Sequence, residues 1–448
     1  MSVIGLSSPT RTRVNWLVFA LWLVAFALGL YGLGQRALYG HELAAYGSYV
    51  PWGLWVALYI YFIGLSAGAF LISALIYVGG IKRLERVGKL ALFTALVTLV
   101  AALLSIWLDL GHPERFWKVY TSARPTSMMM WMVWLYTGYF ALVVAELWFA
   151  LRGDLVAWAS KPGRAGILAR LLSFGSRDDS PVAIARDRKL LRVLGTLGVP
   201  LAIAFHGGVG ALFGVIGARP FWNSSLYPIL FLISALASGG ALLTFVVAYL
   251  WPRNSAAERA EHQRTVTLLA QLTLGLVLLD LLMEWAEFSI NLYAAIPAHA
   301  EAYRTVLFGP YWWVFWIGHL GLGSLIPIVI LAWKGRSPNW AGGAGLLIAA
   351  SFIAVRLNIV IPGLAVPELR GLESAFVDER LSFNYVPSQM EWLVALLVVS
   401  LAVALFYLGR RCLPLAEYAE VTATAERQAA EAPSRQVLAP VADGAQEA

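Results

Sequence analysis

The sequence predicts an all-α membrane protein of about ten transmembrane helices, with both termini cytoplasmic. Three observations predict it. Of 448 residues, 60% are hydrophobic and 13% charged, against about 25% charged in a soluble chain. The apolar residues fall into ten stretches, 15–34, 53–79, 89–110, 127–150, 190–215, 225–250, 266–291, 311–333, 341–361 and 391–409, each near the ~20 residues that cross a bilayer core. With the N-terminus inside, 24 of the 33 Lys and Arg residues lie in inside segments and 8 in outside ones, Arg356 falling within a span. That bias sets the orientation. It also absorbs the net charge of +7, so no nucleic-acid partner is expected and the partner surface is the lipid bilayer, in the bacterial cytoplasmic membrane. Nineteen Trp and 18 Tyr suit the two membrane interfaces.

The elements follow in order. The first span is long and lacks a small-x-small cleavage site, so it reads as a retained helix rather than a signal peptide. Span 2 carries Ser66 and Gly68, whose small side chains let backbones approach. Span 3 ends at Asp109, where Gly111 and Pro113 break the helix. Span 4 opens on Trp131 to Trp134, and Glu146 near its inner end is expected to snorkel. The loop 151–189 holds a short apolar stretch, Ile167 to Phe174, among Arg residues, which reads as an interfacial helix. Span 5 carries His206, and the glycines after it are packing material, because no strand precedes them to make a nucleotide fingerprint. Span 8 carries His319 and span 9 Arg356. The chain after Pro414 is rich in Ala, Glu, Gln and Pro and is expected to be disordered.

An internal repeat organises the spans. Ser66 and Gly68 align with Ser238 and Gly240 at an offset of 172, and Leu108-Asp-Leu110 with Leu279-Asp-Leu281 at 171. Spans 4 and 8 both open on tryptophans. Two parallel four-helix bundles with two added helices are therefore expected. The domains are then 1–150, a cytoplasmic linker 151–189, 190–335, two C-terminal helices with an outer loop in 336–412, and the tail 413–448.

Charge at bilayer depth is expensive and usually functional. Asp280, Glu284, Glu287 and Asn291 fall within a stripe about 60° wide on one helix face, and Arg356 is the candidate counter-ion for Glu284 or Glu287. The stripe reads as a proton path or a site wall, or else as a buried ion pair with packing hydrogen bonds. Asp109, His112, Glu114 and Arg115 crowd the outer end of span 3, either as a polar site or as a C-terminal helix cap. His41, His262 and His299 lie in loops and receive no role. Cys412 is the single cysteine, which excludes an intrachain disulfide and a Cys-ligated cluster or zinc site within the chain. No metal site is expected. His206 and His319 could pair on a haem, but hydrogen bonding is the simpler role.

Three segments carry a family resemblance. Val50-Pro-Trp-Gly-Leu-Trp55 with Gly64-Leu-Ser-Ala-Gly68, then Asp109-Leu-Gly-His-Pro-Glu-Arg-Phe-Trp117, and Asn384-Tyr-Val-Pro-Ser-Gln-Met-Glu-Trp392 resemble the NrfD/PsrC-like family, the quinone-binding integral membrane subunit of polysulfide reductase and related respiratory oxidoreductases. The resemblance implies a subunit with no haem or iron–sulfur cluster of its own. It would bind menaquinone or ubiquinone near the outer face and exchange electrons with a ferredoxin-like iron–sulfur subunit docked there. A molybdopterin catalytic subunit would complete the complex, and proton translocation could be coupled to it. The family's motif residues carry over to Asp109 and His112 as the catalytic pair, and to Arg115. Trp52, Trp117, Tyr120 and Tyr136 are the candidate pocket wall, and Asp280, Glu284, Glu287 and Arg356 the candidate proton path. The alternatives are a secondary transporter, which would also use repeats and buried carboxylates, and a haem b membrane anchor.

Overall fold

In a bilayer each backbone N–H and C=O must be paired within the protein, which leaves helices as the natural form for long apolar runs. A computed structural model describes residues 9–79, 85–160, 163–251, 256–369 and 371–415. These fall in one unit, Met1–Ala416. The tail expected to be disordered lies, from residue 416 on, outside the described residues.

Ten helices among the described residues are long and apolar enough to cross a membrane. In chain order the helices are α1 (Pro9–Tyr39), α2 (Leu54–Tyr77), α3 (Glu85–Asp109), the short α4 (Lys118–Thr121), α5 (Met128–Ala159), α6 (Arg164–Leu172), α7 (Pro181–Gly214), α8 (Tyr227–Leu250), α9 (Ala256–Ala294) and α10 (Pro297–Phe308). A π-helical stretch, Val314–Leu325, then leads into α11 (Ile326–Lys334), followed by α12 (Pro338–Val360), the short α13 (Pro362–Ala365) and α14 (Leu372–Ala375), and α15 (Gln389–Cys412). No strand occurs among the described residues.

The ends obey local chemistry. Ser180 caps α7 by accepting from the Ala183 N–H, with Pro181 in the first turn, where its missing N–H costs nothing. Ser388 and Glu391 form a reciprocal capping box at the start of α15, satisfying two orphan donors at once. Helices α5, α7 and α9 run past the apolar stretches seen in the sequence. The extra turns of α5 and α7 are closed by ion pairs, Lys89 with Asp154 and Arg152 with Asp187, which hydropathy does not register.

Helix α2 is the centre of the bundle, with 83% of its apolar window buried against 11% for α1. Small residues allow this. A Cβ on Gly68 would overlap the Ala235 carbonyl and lie 2.8 Å from the Gly239 Cα. The two aligned small-residue motifs thus pack against each other where α2 crosses α8, and van der Waals contact holds them. Helix α1 sits at the periphery on α15. Gly29 and Gly32 abut Leu397 and Leu393, and the Trp22 indole donates to the Ser400 carbonyl at 3.0 Å. Rising numbers on α1 meet falling numbers on α15, so the two run antiparallel. The start of α1 and the finish of α15 share one end, here the terminal end; Asp109 lies at the opposite, far end.

Candidate functional site

Two polar clusters interrupt the apolar bundle. The first is at the far end, where α1, α3 and α15 meet the 40–53 segment. Arg36, in the last turn of α1, is buried. Its Nε donates to the Leu108 carbonyl at 3.1 Å and its Nη2 to the Leu110 carbonyl at 2.6 Å. A cation thereby satisfies carbonyls that the end of α3 leaves free, and it lies 5.9 Å over the Trp55 ring. Gly40, at φ +60, lets the backbone turn back over this end. His41 and Tyr46 then face each other edge to face at 5.3 Å, each 6.2 Å from Trp55.

Glu391 locks this cluster from the far side of the sequence. Its carboxylate accepts from the Ala45 and Ser388 N–H groups at 2.9 Å each and from the Tyr385 hydroxyl. Tyr385 in turn accepts from the Leu54 N–H at 2.7 Å, and the Trp55 indole donates to the Glu391 carbonyl at 2.9 Å. Asp109 stands inside this frame beside Tyr46 and within electrostatic reach of Arg36 and Glu391. Its Oδ1, the Tyr46 hydroxyl and His41 Nε2 are all shut off from water; the Tyr46 hydroxyl is turned to the Asp109 carboxylate, and the three atoms meet no other hydrogen-bonding group among the described residues. Burial, with the Arg36 charge beside it, lowers His41 to about 4, so the ring is neutral at physiological pH. Burial and the carboxylates of Asp109 and Glu391 push the Tyr46 hydroxyl up, so it keeps its proton. Buried polar atoms with no partner beyond one another call for an explanation, and a small polar head seated among them would supply it.

The other residues singled out in the motif stand elsewhere. The His112 side chain is 67% exposed and its Nδ1 lies 3.2 Å from Glu114, which also meets Arg115 at 3.4 Å. Trp117 is half-exposed. Tyr120 shares a 2.8 Å hydrogen bond with Thr137. These five are gathered on the 110–121 segment next to Asp109 rather than inside the frame. Trp52 stacks on Trp222 at 5.6 Å. Tyr136 is buried and stacks on Tyr59 at 6.1 Å.

The second cluster lies between α8, α9, α12 and the π-helical stretch. Arg356 on α12 is buried, donates to Ser234 on α8 at 3.0 Å and caps the Phe231 ring at 5.0 Å. Gly64 leaves it room, since a Cβ there would lie 3.3 Å from Nη2. Asp280 and Glu284 on α9 are its electrostatic partners. Glu284 also lies 3.2 Å from Nε2 of His319, within the π-helical stretch. Arg356 Nη1, both His206 ring nitrogens and the Asn358 amide remain without hydrogen-bond partners among the described residues. Glu287 belongs to a different set. It accepts from Ser224 at 3.1 Å and from Tyr303 at 3.0 Å, and Asn291 donates to its backbone carbonyl at 2.8 Å. The stripe on α9 thus divides between two neighbourhoods. No group of three or more potential metal ligands occurs among the described residues.

Sequence reasoning missed Arg36, His41, Tyr46, Tyr385 and Glu391. The signal for Glu391 was present, as Ser388-Gln-Met-Glu391 has the spacing of a capping box. Glu146, expected to snorkel, is instead wholly buried.

The family model described as "Polysulphide reductase, NrfD" matches residues 42–368, a stretch that contains both clusters except for Arg36, His41, Tyr385, Ser388 and the start of α15. The chain belongs to the NrfD family. It is 38% identical over 394 residues to a selenate reductase subunit of Mesobacillus selenatarsenatis, covering 87% of this protein and 91% of that one. It is 29% identical over 408 residues to the Hdr-like menaquinol oxidoreductase integral membrane subunit of Archaeoglobus fulgidus, covering 88% and 89%. With one of the polysulfide reductase chains of Wolinella succinogenes it shares 25% identity over 320 residues, 70% and 91% of the two sequences. This NrfD-family protein is a multi-pass integral membrane protein, of the kind that serves as the membrane subunit of reductase complexes.

Proposed function

We propose that this NrfD-family protein is the membrane subunit of a respiratory oxidoreductase, and that its far end faces outward and binds a quinone or quinol head. The single observation that carries the reading is the set of water-excluded polar atoms on Asp109, Tyr46 and His41 that meet no hydrogen-bonding group beyond one another. A quinone head offers two oxygens that need a donor, and a quinol two hydroxyls that need acceptors. Tyr46 supplies the donor, and Asp109 and neutral His41 supply acceptors, so the residues fit the group. Two relatives support the ligand class by name, the menaquinol oxidoreductase subunit and the menaquinone reductase integral membrane subunit of Nitratidesulfovibrio vulgaris.

A bound quinol supplies two electrons and two protons. The protein's own task is then to orient the head and take the protons. Asp109 is the first acceptor, and the Arg36 guanidinium beside it stabilises the carboxylate between turnovers. His112, Arg115, Trp117 and Tyr120 form the rim, with Trp52 and Tyr136 deeper in the bundle. Electrons pass to an iron–sulfur subunit docked on this face and from there to a molybdopterin subunit, or the reverse. Asp280, Glu284, Glu287 and Arg356 are the proton-conducting residues of the second half.

Asp109→Asn keeps size and removes the base. It lowers quinol turnover by at least 100-fold, the range for loss of one acid–base group, while the complex still co-purifies. Turnover within twofold of wild type would end the assignment. His112→Gln, on the exposed rim, produces a smaller loss, about tenfold or less on the same scale.

A further inference from the structure

Helix α6 hangs beside the bundle at the terminal end, packed on α5, and turns much of its apolar surface outwards. Ile167 is 54% exposed, Leu171 69% and Phe174, just past its last turn, 83%. At spacings of four and three residues they share one face. Phe174 also sits at φ 50, a left-handed conformation that a bulky residue adopts only when its surroundings impose it. The turn is held by hydrogen bonds from the Phe174 N–H to the Leu171 carbonyl at 3.1 Å and from the Gly175 N–H to the Arg170 carbonyl at 3.2 Å. Its effect is to present the ring away from the protein. In water such a face is a cost.

Trp148 on α5 sets the depth of this face. Its indole donates to the Leu172 carbonyl at 2.9 Å, and its ring lies 5.8 Å from that of Phe174. Trp148 stands two residues before the end of the 127–150 apolar stretch. The end of α6 is therefore at the boundary between acyl chains and headgroups, the level that Trp favours. Helix α7 crosses the same boundary. Along one exposed face of it, Lys189 and Arg192 give way to Val193, Leu197 and Ile203. Arg152 fixes the connection between the two helices. It is buried, pairs with Asp187 on α7, and donates to the Ser176 hydroxyl at 3.2 Å and the Asp178 carbonyl at 2.8 Å. Asp187 is thereby drawn inwards. The exposed carboxylates left in 164–192 are Asp178 and Asp179, outnumbered by exposed Arg170, Arg177, Arg186, Arg188, Lys189 and Arg192.

We propose that α6 and the start of α7 form a binding site for anionic phospholipid in the leaflet at the terminal end. Ile167, Leu171 and Phe174 lie among the acyl chains, and Arg170, Lys189 and Arg192 face the phosphates. Each basic residue near an anionic surface strengthens binding by about fivefold. A zwitterionic headgroup brings its own cation to the same collar and loses that gain. The site serves neither polar cluster and is independent of the quinone reading.

Two measurements on the full chain test it. In mixed micelles of phosphatidylglycerol and phosphatidylcholine, native mass spectrometry counts the lipids retained. Wild type retains phosphatidylglycerol over phosphatidylcholine by about tenfold or more. The triple variant Arg170→Gln, Lys189→Gln, Arg192→Gln loses most of that preference. Lys334→Gln, Arg410→Gln, Arg411→Gln removes three cations from the terminal end elsewhere and keeps it. In the second measurement, Phe174→Cys in a Cys412→Ser background carries a bimane label in vesicles, which brominated acyl chains quench and aqueous iodide does not. The proposal is overturned by a wild type without lipid preference, by an equal loss in both triple variants, or by a label that iodide alone quenches. The second measurement leaves the cations in place, so it decides the matter even if the first triple variant fails to fold.

Discussion

Arg36 shows how one residue sets up a site without entering it. By donating to the Leu108 and Leu110 carbonyls it fixes the end of α3, and its charge keeps His41 neutral together with burial. A pH dependence follows. The folded-state pKa of His41 is lowered from 6.5 to about 4, so between those values the unfolded protein binds the proton and the folded protein does not. The stability due to the neutral ring is present above the unfolded value and is lost as pH falls towards the folded one. The thermal unfolding temperature in detergent should therefore fall from about pH 7.5 to about pH 5, and His41→Gln should narrow that difference. No local pattern announces this site. Arg36, His41, Tyr46, Asp109 and Glu391 span more than three hundred positions, and their meeting is decided by packing. Asp109 alone was legible, because a carboxylate at the end of an apolar run is costly unless it has a use.

At the scale of elements, hydropathy located all ten spans because the bilayer demands the same length from each. It misjudged the ends of α5, α7 and α9; in the first two, charged outer turns are held by ion pairs between helices. The angular stripe on α9 was also legible, but not its division. Asp280 and Glu284 face Arg356 on α12, while Glu287 and Asn291 turn to Tyr303 on α10, a matter of which neighbour each turn meets. The small-residue motifs gave a firmer signal, since close approach has few other solutions. Gly68→Ala must displace backbone on α8 rather than a flexible side chain. It should destabilise the protein by about 1–3 kcal/mol, the usual cost of overpacking, read as a lower unfolding temperature. Gly111→Ala, with open space around its Cβ, is the control and should change little.

At the scale of the molecule, the single cysteine provides a topological probe. Cys412 is exposed at the end of α15, so a membrane-impermeant maleimide should label inverted vesicles and spare intact cells. The reverse pattern would place the Asp109 end in the cytoplasm. The bonds made by Glu391 and Tyr385 carry a different implication. They join residues 45, 54 and 55 to partners more than 330 positions later, and the first helix rests on the last. During synthesis the opening helices must therefore wait in the lipid, with the 40–53 segment unpinned, until the final hydrophobic segment leaves the ribosome. A product truncated before Tyr385 would insert most of its helices and still offer no finished receptor, so incomplete products are inert by construction.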